Sequence, residues 1–216
     1  YQYQYRFKRY VFQEQLRWQR QLGKQEVEVL LGHENFNYNY HYTAMSKADQ
    51  ILPDNIAMSN FSTLKTLTGY PKDYRTESYL GTVRYNYDRR YFAEAAFRRD
   101  GSSRFHADHR WGNFGSFGLV WLLSQERFVE NISWIDLMKL RFSYGEVGND
   151  AGVGYYGWMS LYKIAVNGGE AALYKSQLSA EDIKWETVAS YDAALEAELF
   201  GRWNFTVEYF DKRSED

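Results

Sequence analysis

The clearest pattern in the chain is a strict alternation of apolar and polar residues over positions 77–100, interrupted only by a short turn. In the first half, Tyr79 and Val83 fall on one face, while Arg84 and Asn86 fall on the other. A period of two predicts β strands, because successive side chains of a strand point to opposite sides. Each run has about ten residues, which is the length that a tilted strand needs to cross a bilayer. The pattern predicts a barrel wall with lipid outside and water inside.

The same alternation recurs along most of the chain. It predicts further strands at 1–18, 27–42, 111–123, 137–147, 185–199 and 203–209. The phase changes near Arg9 and Tyr10, which predicts a bulge or a bend there. It changes again past Gly32, where the aromatic residues move to the other set of alternate positions. The sequence thus predicts an all-β fold of about eight antiparallel strands in up-and-down order.

The connections between these strands alternate in length. Long loops are predicted at 43–75, 101–110 and 148–184, and short turns near 22–25, 88–90 and 200–202. The segment 124–136 is predicted to hold a short helical turn capped by Ser124. In a meander, every second connection lies at the same end of the sheet. The long loops are therefore predicted at one end and the short turns at the other, as in outer-membrane barrels.

Composition narrows the class of protein further. Aromatic residues make up 19% of the 216 residues, yet the mean hydropathy is −0.64, so apolar residues are dispersed among polar ones. A net charge of −2 gives no reason to expect nucleic acid as a partner. The absence of cysteine excludes disulfides and thiolate metal sites. A soluble antiparallel sandwich would also alternate, but long strands and a recurring aromatic face favour the membrane barrel.

Motifs for catalysis or cofactor binding do not emerge from the sequence. There is no phosphate-binding loop or dinucleotide fingerprint, and the segment 115–118 is not a nucleophile elbow. His106, Asp108 and His109 have weak metal-ligand spacing, and a solvated loop is the favoured interpretation. We therefore expect neither an enzyme nor a bound cofactor or metal.

Two groups of residues are candidates for binding. The first is an aromatic cluster in or beside the loop 148–184, proposed for substrate contact because rings stack on sugar faces; a girdle or loop-packing role is the alternative. It comprises Tyr155, Tyr156, Trp158 and Tyr162. The second surrounds the turn at 101–103, where a substrate-binding or partner-binding rim competes with the favoured role of Asp-Gly turn chemistry and strand-to-strand salt bridges. It comprises Arg98, Arg99, Asp100, Gly101, Ser102, Ser103, Arg104 and Phe105.

Several segments, in colinear order, resemble the barrel region of the SusC/RagA family of TonB-dependent outer-membrane transporters. They are LLGHENF at 30–36, YRTESYLGTVRYNYD at 74–88, FRRDGSSRFHADHRWGNFGSFG at 97–118, LMKLRFSYGEVGND at 137–150, GYYGWMSLY at 154–162 and IKWETVASYDAALEAELFGRWNFTVEYFDKRSED at 183–216. The resemblance covers roughly residues 20–216. Transporters with different substrates share the stretch 98–105, which favours a structural role for it.

The resemblance implies a barrel of about 22 strands with an N-terminal plug. It also implies a bacterial outer-membrane location in contact with lipid, a SusD-like surface lipoprotein as partner, and import of oligosaccharides or peptides powered by the TonB complex. Residues 1–216 are expected to be part of a single barrel domain, with the plug and the TonB box absent from this chain, and to be too few to close such a barrel. An adhesion barrel and a soluble β-rich carbohydrate-binding module are the alternatives.

Overall fold

Antiparallel strands form most of the chain in the computed structural model, which describes residues 1–215. The elements are β1 (Gln2–Leu22), β2 (Gln25–Gln50), β3 (Phe61–Tyr87), β4 (Tyr91–Ser102), β5 (Trp111–Leu122), α1 (Arg127–Glu130), β6 (Ile135–Asn149), β7 (Leu161–Asn167), β8 (Glu170–Gln177), β9 (Glu186–Leu199) and β10 (Trp203–Glu215). Within this described part, no helix is both long and apolar enough to cross a bilayer.

Eight of the strands form one sheet in the order β1-β2-β3-β4-β5-β6-β9-β10, and every neighbouring pair is antiparallel. This confirms the predicted all-β meander of about eight strands. The short turns lie at one end of the sheet. The long connections lie at the other, because consecutive strands run in opposite directions. β7 and β8 form a separate two-stranded hairpin.

The strand register separates a polar face from an apolar one. Arg84 lies opposite Glu28 and Glu94, and its Nε is 2.7 Å from the Glu94 carboxylate. Farther along the same face, Lys139 Nζ lies 2.6 Å from Glu196. A groove on this face includes Glu28, Arg84, Glu94 and Arg141 in its lining. The polar face is therefore the concave, inner face of the wall.

The opposite, outer face is apolar and exposed. Val83 lies between Val29 and Ala95 in the register, and Leu140 lies opposite Leu195. The register confirms the predicted division of the strands into an apolar face and a charged face.

Two rows of aromatic rings bound the apolar band. At the short-turn end, the Tyr91 ring lies 6.3 Å from Tyr87 and 6.2 Å from Trp121. Toward the other end, the Tyr79 ring lies 6.1 Å from Trp111. Trp111 and Trp121 are separated by about ten residues of strand, or roughly 33 Å. A tilt of about 40° reduces this to roughly 25 Å along the membrane normal, the height of the apolar band of a membrane barrel.

The prediction of a long loop at 43–75 was wrong. β2 continues to Gln50 and β3 begins at Phe61, so only 51–60 connects them. The backbone ladder does not require alternating hydrophobicity, and alternation weakens beyond the aromatic rows because water meets both faces. Pro71 is tolerated because β4 pairs with β3 only from Thr76 onward, which leaves one edge of β3 without a strand neighbour at Pro71.

Three smaller predictions also need correction. The β1–β2 register is continuous from Gln2 to Leu22, so no bulge marks the change of phase near Arg9 and Tyr10. Ser124 lies in a turn of 3-10 helix and does not cap α1, whose N-cap is Glu126 without a side-chain cap. The region 148–184 is not only loop, since β6 reaches Asn149 and the β7–β8 hairpin lies within it.

Candidate functional site

The strands β1, β2 and β3 extend beyond the aromatic rows and carry a set of rings on the inner face. Register through Gly32 is uninterrupted, so the aromatic residues after Gly32 lie on the same side as Glu28 and Arg84. The face that carries the apolar residues therefore changes along the strands. It is the outer face between the two aromatic rows, a region that we call the membrane band. It is the inner face in the parts of β1, β2 and β3 beyond the rows, which we call the extension. We call these inner-face rings the tyrosine ladder; they are Tyr3, Tyr5, Phe7, Phe36, Tyr38, Tyr40, Tyr42, Tyr70 and Tyr74.

The rings of the tyrosine ladder contact one another across all three strands. The Tyr42 ring lies 5.3 Å from Tyr5 on β1 and 5.2 Å from Tyr70 on β3. Tyr40 lies 6.4 Å from both Tyr38 and Tyr70. These spacings fall within the range in which aromatic pairs attract each other.

Cations lie over the faces of these rings. Lys72 Nζ is 5.2 Å from the centre of the Tyr70 ring and 5.9 Å from that of Tyr40. The guanidinium of Arg9 lies 5.9 Å from the Tyr38 ring. Both arrangements fit cation–π attraction. Burial, together with the neighbouring phenols, raises the pKa of Tyr40 above its ordinary value.

Asp150 connects the Tyr74 end of the tyrosine ladder to the loop after β4. Tyr74 donates its hydroxyl to the Asp150 carboxylate at 2.8 Å, and Ser102 donates to the same oxygen at 2.7 Å. Arg104 donates to the Asp150 carbonyl at 2.7 Å and lies 4.6 Å from the Tyr74 ring. Burial and the bond to Asp150 raise the pKa of Tyr74 to about 12.

Three of the four aromatic residues predicted to contact substrate lie close to Asp150 and Tyr74. Tyr155 packs edge-on against Tyr74 at 5.7 Å. The Tyr156 hydroxyl accepts a hydrogen bond from the backbone N–H of Asp73 at 3.0 Å. Trp158 Nε1 donates to the carbonyl of Ser103 at 3.4 Å.

The fourth candidate, Tyr162, is not brought to the others. It lies on β7 and is exposed, with Lys175 of β8 5.9 Å from its ring. Gln177, at the end of β8, donates to the carbonyls of Tyr156 and Met159 at 2.9 Å each. The hairpin therefore positions the loop that carries Tyr155, Tyr156 and Trp158, although Tyr162 itself points elsewhere.

Charged residues of β4 lie on both faces of the sheet. Arg98 Nε donates to both carboxylate oxygens of Asp100, at 2.7 and 2.8 Å, and its Nη2 donates to Ser78 Oγ at 3.1 Å. Arg99 lies on the outer face, 5.2 Å from the Trp111 ring. Arg98 and Arg99 therefore engage neighbours on opposite faces.

The loop that follows β4 closes around a buried ring. Phe105 has no exposed surface and packs 5.1 Å from Trp185. Trp185 Nε1 donates to the carbonyl of Arg110 at 3.0 Å, which holds the two long loops together. Phe105 thus anchors the loop 103–110 to the segment before β9.

The same loop covers the part of β3 that β4 does not reach. Ser103 donates its backbone N–H to the carbonyl of Arg75 at 2.9 Å, and its Oγ accepts from the Arg75 N–H at 3.0 Å. With the Tyr156 hydroxyl on Asp73, these bonds satisfy polar groups of an otherwise open strand edge. Gly101 and Ser102 belong to the end of β4.

The sequence contained a signal for the tyrosine ladder that the predictions did not use. The alternating rings at 1–8 and 36–42 are visible in the sequence, as is the change of phase past Gly32. The predicted loop at 43–75 included Tyr70, Lys72 and Tyr74, so these residues were not expected on the inner face beside Tyr38, Tyr40 and Tyr42. Only the register of β2 against β3 brings the two sets together.

Comparison with known proteins gives a consistent family match. A family model described as TonB dependent receptor-like, beta-barrel, matches residues 1–216. TonB-dependent receptor P26 of Formosa agariphila is 30% identical over 209 residues, which cover 93% of this chain and 21% of the relative. TonB-dependent receptor SusC of Bacteroides thetaiotaomicron is 28% identical over 164 residues, 71% of this chain and 16% of the relative. The chain spans about a fifth or less of the length of these relatives.

Solved structures share the fold. The RagAB peptide importer in its closed-closed state superposes with a TM-score of 0.91 at 21% identity, covering 99% of this chain and 24% of that one. The open-open state gives a TM-score of 0.88 at 22% identity, with the same coverage. The eight-stranded sheet, its order and its extensions therefore recur in a solved barrel.

Proposed function

The chain belongs to the family of TonB-dependent receptor-like β-barrels, and from that premise we propose that it forms part of the wall of an outer-membrane importer. The observation that carries the proposal is the family match along all 216 residues. The apolar outer face, the charged inner face and the two aromatic rows support it, since a wall between lipid and water needs all three.

In this proposal the cargo is a large nutrient, either an oligosaccharide or a peptide. A peptide cargo is supported by the similar structure that is titled a peptide importer, and an oligosaccharide by the exposed aromatic rings on the inner face. We propose a SusD-like surface lipoprotein as partner and the TonB complex as the source of energy. A plug domain and a TonB box would be carried outside residues 1–216, which form part of a single barrel domain.

The two edge strands of the sheet are consistent with a larger barrel. Among the strands that the structure describes, β1 has only β2 as a neighbour and β10 has only β9. The backbone groups along the other edge of each strand need partners in a hydrocarbon environment. We propose that further strands of the same barrel pair with them.

The candidate residues divide into contact and support. We propose that Tyr155, Tyr156 and Trp158 contact the cargo at the mouth, and that Tyr162 offers a separate, exposed contact on the hairpin. We propose a structural role for the segment 98–105, supported by the burial of Phe105 and the bonds of Ser103 to β3. Relatives in this family are receptors and transporters, and the proposal includes no catalytic step.

Uptake in a strain lacking TonB tests the function. Cells that express the full-length protein should accumulate a labelled oligosaccharide or peptide cargo, and deletion of TonB should abolish that accumulation. Restoring TonB on a plasmid is the matched control. Uptake that continues undiminished without TonB would instead indicate a passive pore or an adhesin, and the import proposal would be wrong.

A further inference from the structure

We propose that the tyrosine ladder is a binding surface for anionic oligosaccharides, such as chains of uronic acid residues. This inference rests on the proposed function and deepens it, because it gives the imported nutrient a charge, a chemical class and a first contact surface.

The tyrosine ladder is accessible and points to the inner side of the wall. Tyr5 is 59% and Tyr70 41% exposed, and Tyr40 and Tyr42 between them are half-buried, on the same face as Arg84 and Glu94. Between Gly32 and the short turns this face is polar, as the water-filled interior requires. Between Gly32 and the long loops, rings take the place of the charges on this face. The outer face of the same part of the strands meets no lipid either. Water alone gives no reason for apolar rings to gather on that one side, whereas a ligand that stacks on them does.

The shape of the surface suits a chain of sugar rings. Inner-face positions along one strand repeat every two residues, or about 7 Å, and neighbouring strands lie about 4.8 Å apart. The result is a three-strand array of rings, in which the Tyr42 ring is tilted by 37° to Tyr5 and by 47° to Tyr70. An aromatic face is electron-rich, so it attracts the polarised C–H groups of a pyranose face. The tyrosine hydroxyls can bond the sugar hydroxyls around the rim.

Charge on the tyrosine ladder favours an anionic ligand. Arg9 and Lys72 lie among the rings on the inner face. Over 3–11, 36–46 and 66–74, this face of the described strands carries no carboxylate. Asp150, at the Tyr74 end, is already bonded to Tyr74, Ser102 and Arg104. The surface is therefore cationic, and it attracts carboxylated or sulfated sugars before contact.

An extended peptide fits this surface less well. Peptides bound as strands rely on main-chain hydrogen bonds to an open edge and on separate side-chain pockets. β2 lies between β1 and β3 along the whole ladder, so its edges are taken. The free edge of β3 above Thr76 is partly covered by Ser103 and Tyr156. An array of exposed rings without a free strand edge therefore favours sugar rings over a peptide backbone.

Calorimetric titration of the full-length protein in detergent tests the class of ligand. The probes are an oligogalacturonate, neutral maltohexaose and a hexamer of glutamate. We expect the oligogalacturonate to bind at least tenfold more tightly than either of the others, and its affinity to fall as salt is raised. Equal affinity for maltohexaose would overturn the charge argument. Tighter binding of the glutamate peptide would overturn the carbohydrate class.

Variants then locate the site. The double change Tyr40→Ala with Tyr42→Ala should weaken oligogalacturonate binding at least tenfold, whereas Tyr40→Phe with Tyr42→Phe should retain most of it because the ring faces remain. Lys72→Gln should weaken binding and reduce its salt dependence. Tyr79→Ala, on the outer face, is the matched control and should leave affinity unchanged. Undiminished binding by the alanine pair would overturn the proposal.

Two readouts keep this inference separate from the import function. Binding by purified protein needs neither TonB nor uptake, so it can be present even when import fails. If TonB-dependent uptake is observed but the alanine pair binds oligogalacturonate as well as the wild type, the tyrosine ladder is not the site. A temperature-dependent shift of the folded barrel on gels confirms that each variant is folded before it is titrated.

Discussion

One large side chain at the long-loop end, that of Phe105, is completely buried. Phe105 has no exposed surface although it lies in a connection, because the ring of Trp185 and the turn at 102–105 enclose it. Nearby, the ring of Phe114 lies so close to Gly148 that an added Cβ there would come within 2.0 Å of it. Glycine at position 148 therefore makes room for a ring. Packing of this kind fixes the loops that carry the candidate contact residues.

The first prediction concerns Phe105. Phe105→Ala should lower the free energy of unfolding by about 3–5 kcal/mol, since it removes a buried ring and leaves a cavity. Denaturant unfolding of the full-length protein in phospholipid vesicles measures this. Phe128→Ala is the control, because that side chain on α1 is 65% exposed and should change stability by less than about 0.5 kcal/mol. A loss below about 1 kcal/mol for Phe105→Ala would contradict the packing described for the loop.

At the scale of elements, each long strand passes through two environments: water on both faces in the extension, and lipid on one face in the membrane band. β3 begins in the extension, where its inner face carries Tyr70 and Tyr74, and ends in the membrane band, where that face carries Arg84. One uninterrupted ladder of hydrogen bonds supports both parts. The reversal of the hydrophobic pattern therefore marks a change of surroundings along the strand rather than a change of structure.

The second prediction distinguishes the two faces of β3. Val83→Arg should destabilise the protein in bilayers by about 2–4 kcal/mol, because Val83 lies on the lipid face midway between Tyr79 and Tyr87. Thr82→Arg is the matched control, since the adjacent residue faces the polar interior and should cost much less. Equilibrium unfolding in lipid vesicles reports both values. A larger loss for Thr82→Arg would mean that the inner and outer faces are inverted.

For the whole molecule, the alternation of connections gives the sheet two different ends. Three connections at one end are tight turns and the fourth, 123–134, holds a small helix, whereas the connections at the other end are 51–60, 103–110 and 150–185. The tyrosine ladder, Asp150 and the aromatic loop 155–158 all lie at the long-loop end. The proposed contacts with cargo therefore lie on one side of the membrane.

The third prediction tests this orientation in cells. The 216 residues contain no cysteine, so single substitutions can be labelled without background from this region. Asn55→Cys and Asp108→Cys, at the long-loop end, should react with a membrane-impermeant maleimide on intact cells. Asn131→Cys and Arg202→Cys, at the short-turn end, should react only after the outer membrane is broken. Labelling of all four on intact cells would argue against an outer-membrane location in this orientation.

The sequence by itself determined the elements of the membrane band. Alternation over 77–100, 137–147 and 185–199 identified the strands and their faces, because lipid on one side and water on the other impose opposite demands on successive residues. The alternating lengths of the connections determined the two ends of the sheet.

Only the tertiary structure decided what lies beyond the band. Without lipid, no rule fixes which face is apolar, so the strand content of 43–75 was not visible in the pattern. Pairing of β2 with β3 places Tyr42 beside Tyr70, which are 28 residues apart in sequence. The fold likewise brings Asp150 to Tyr74 and Ser102. Such contacts depend on long-range register and loop packing, and local sequence carries neither.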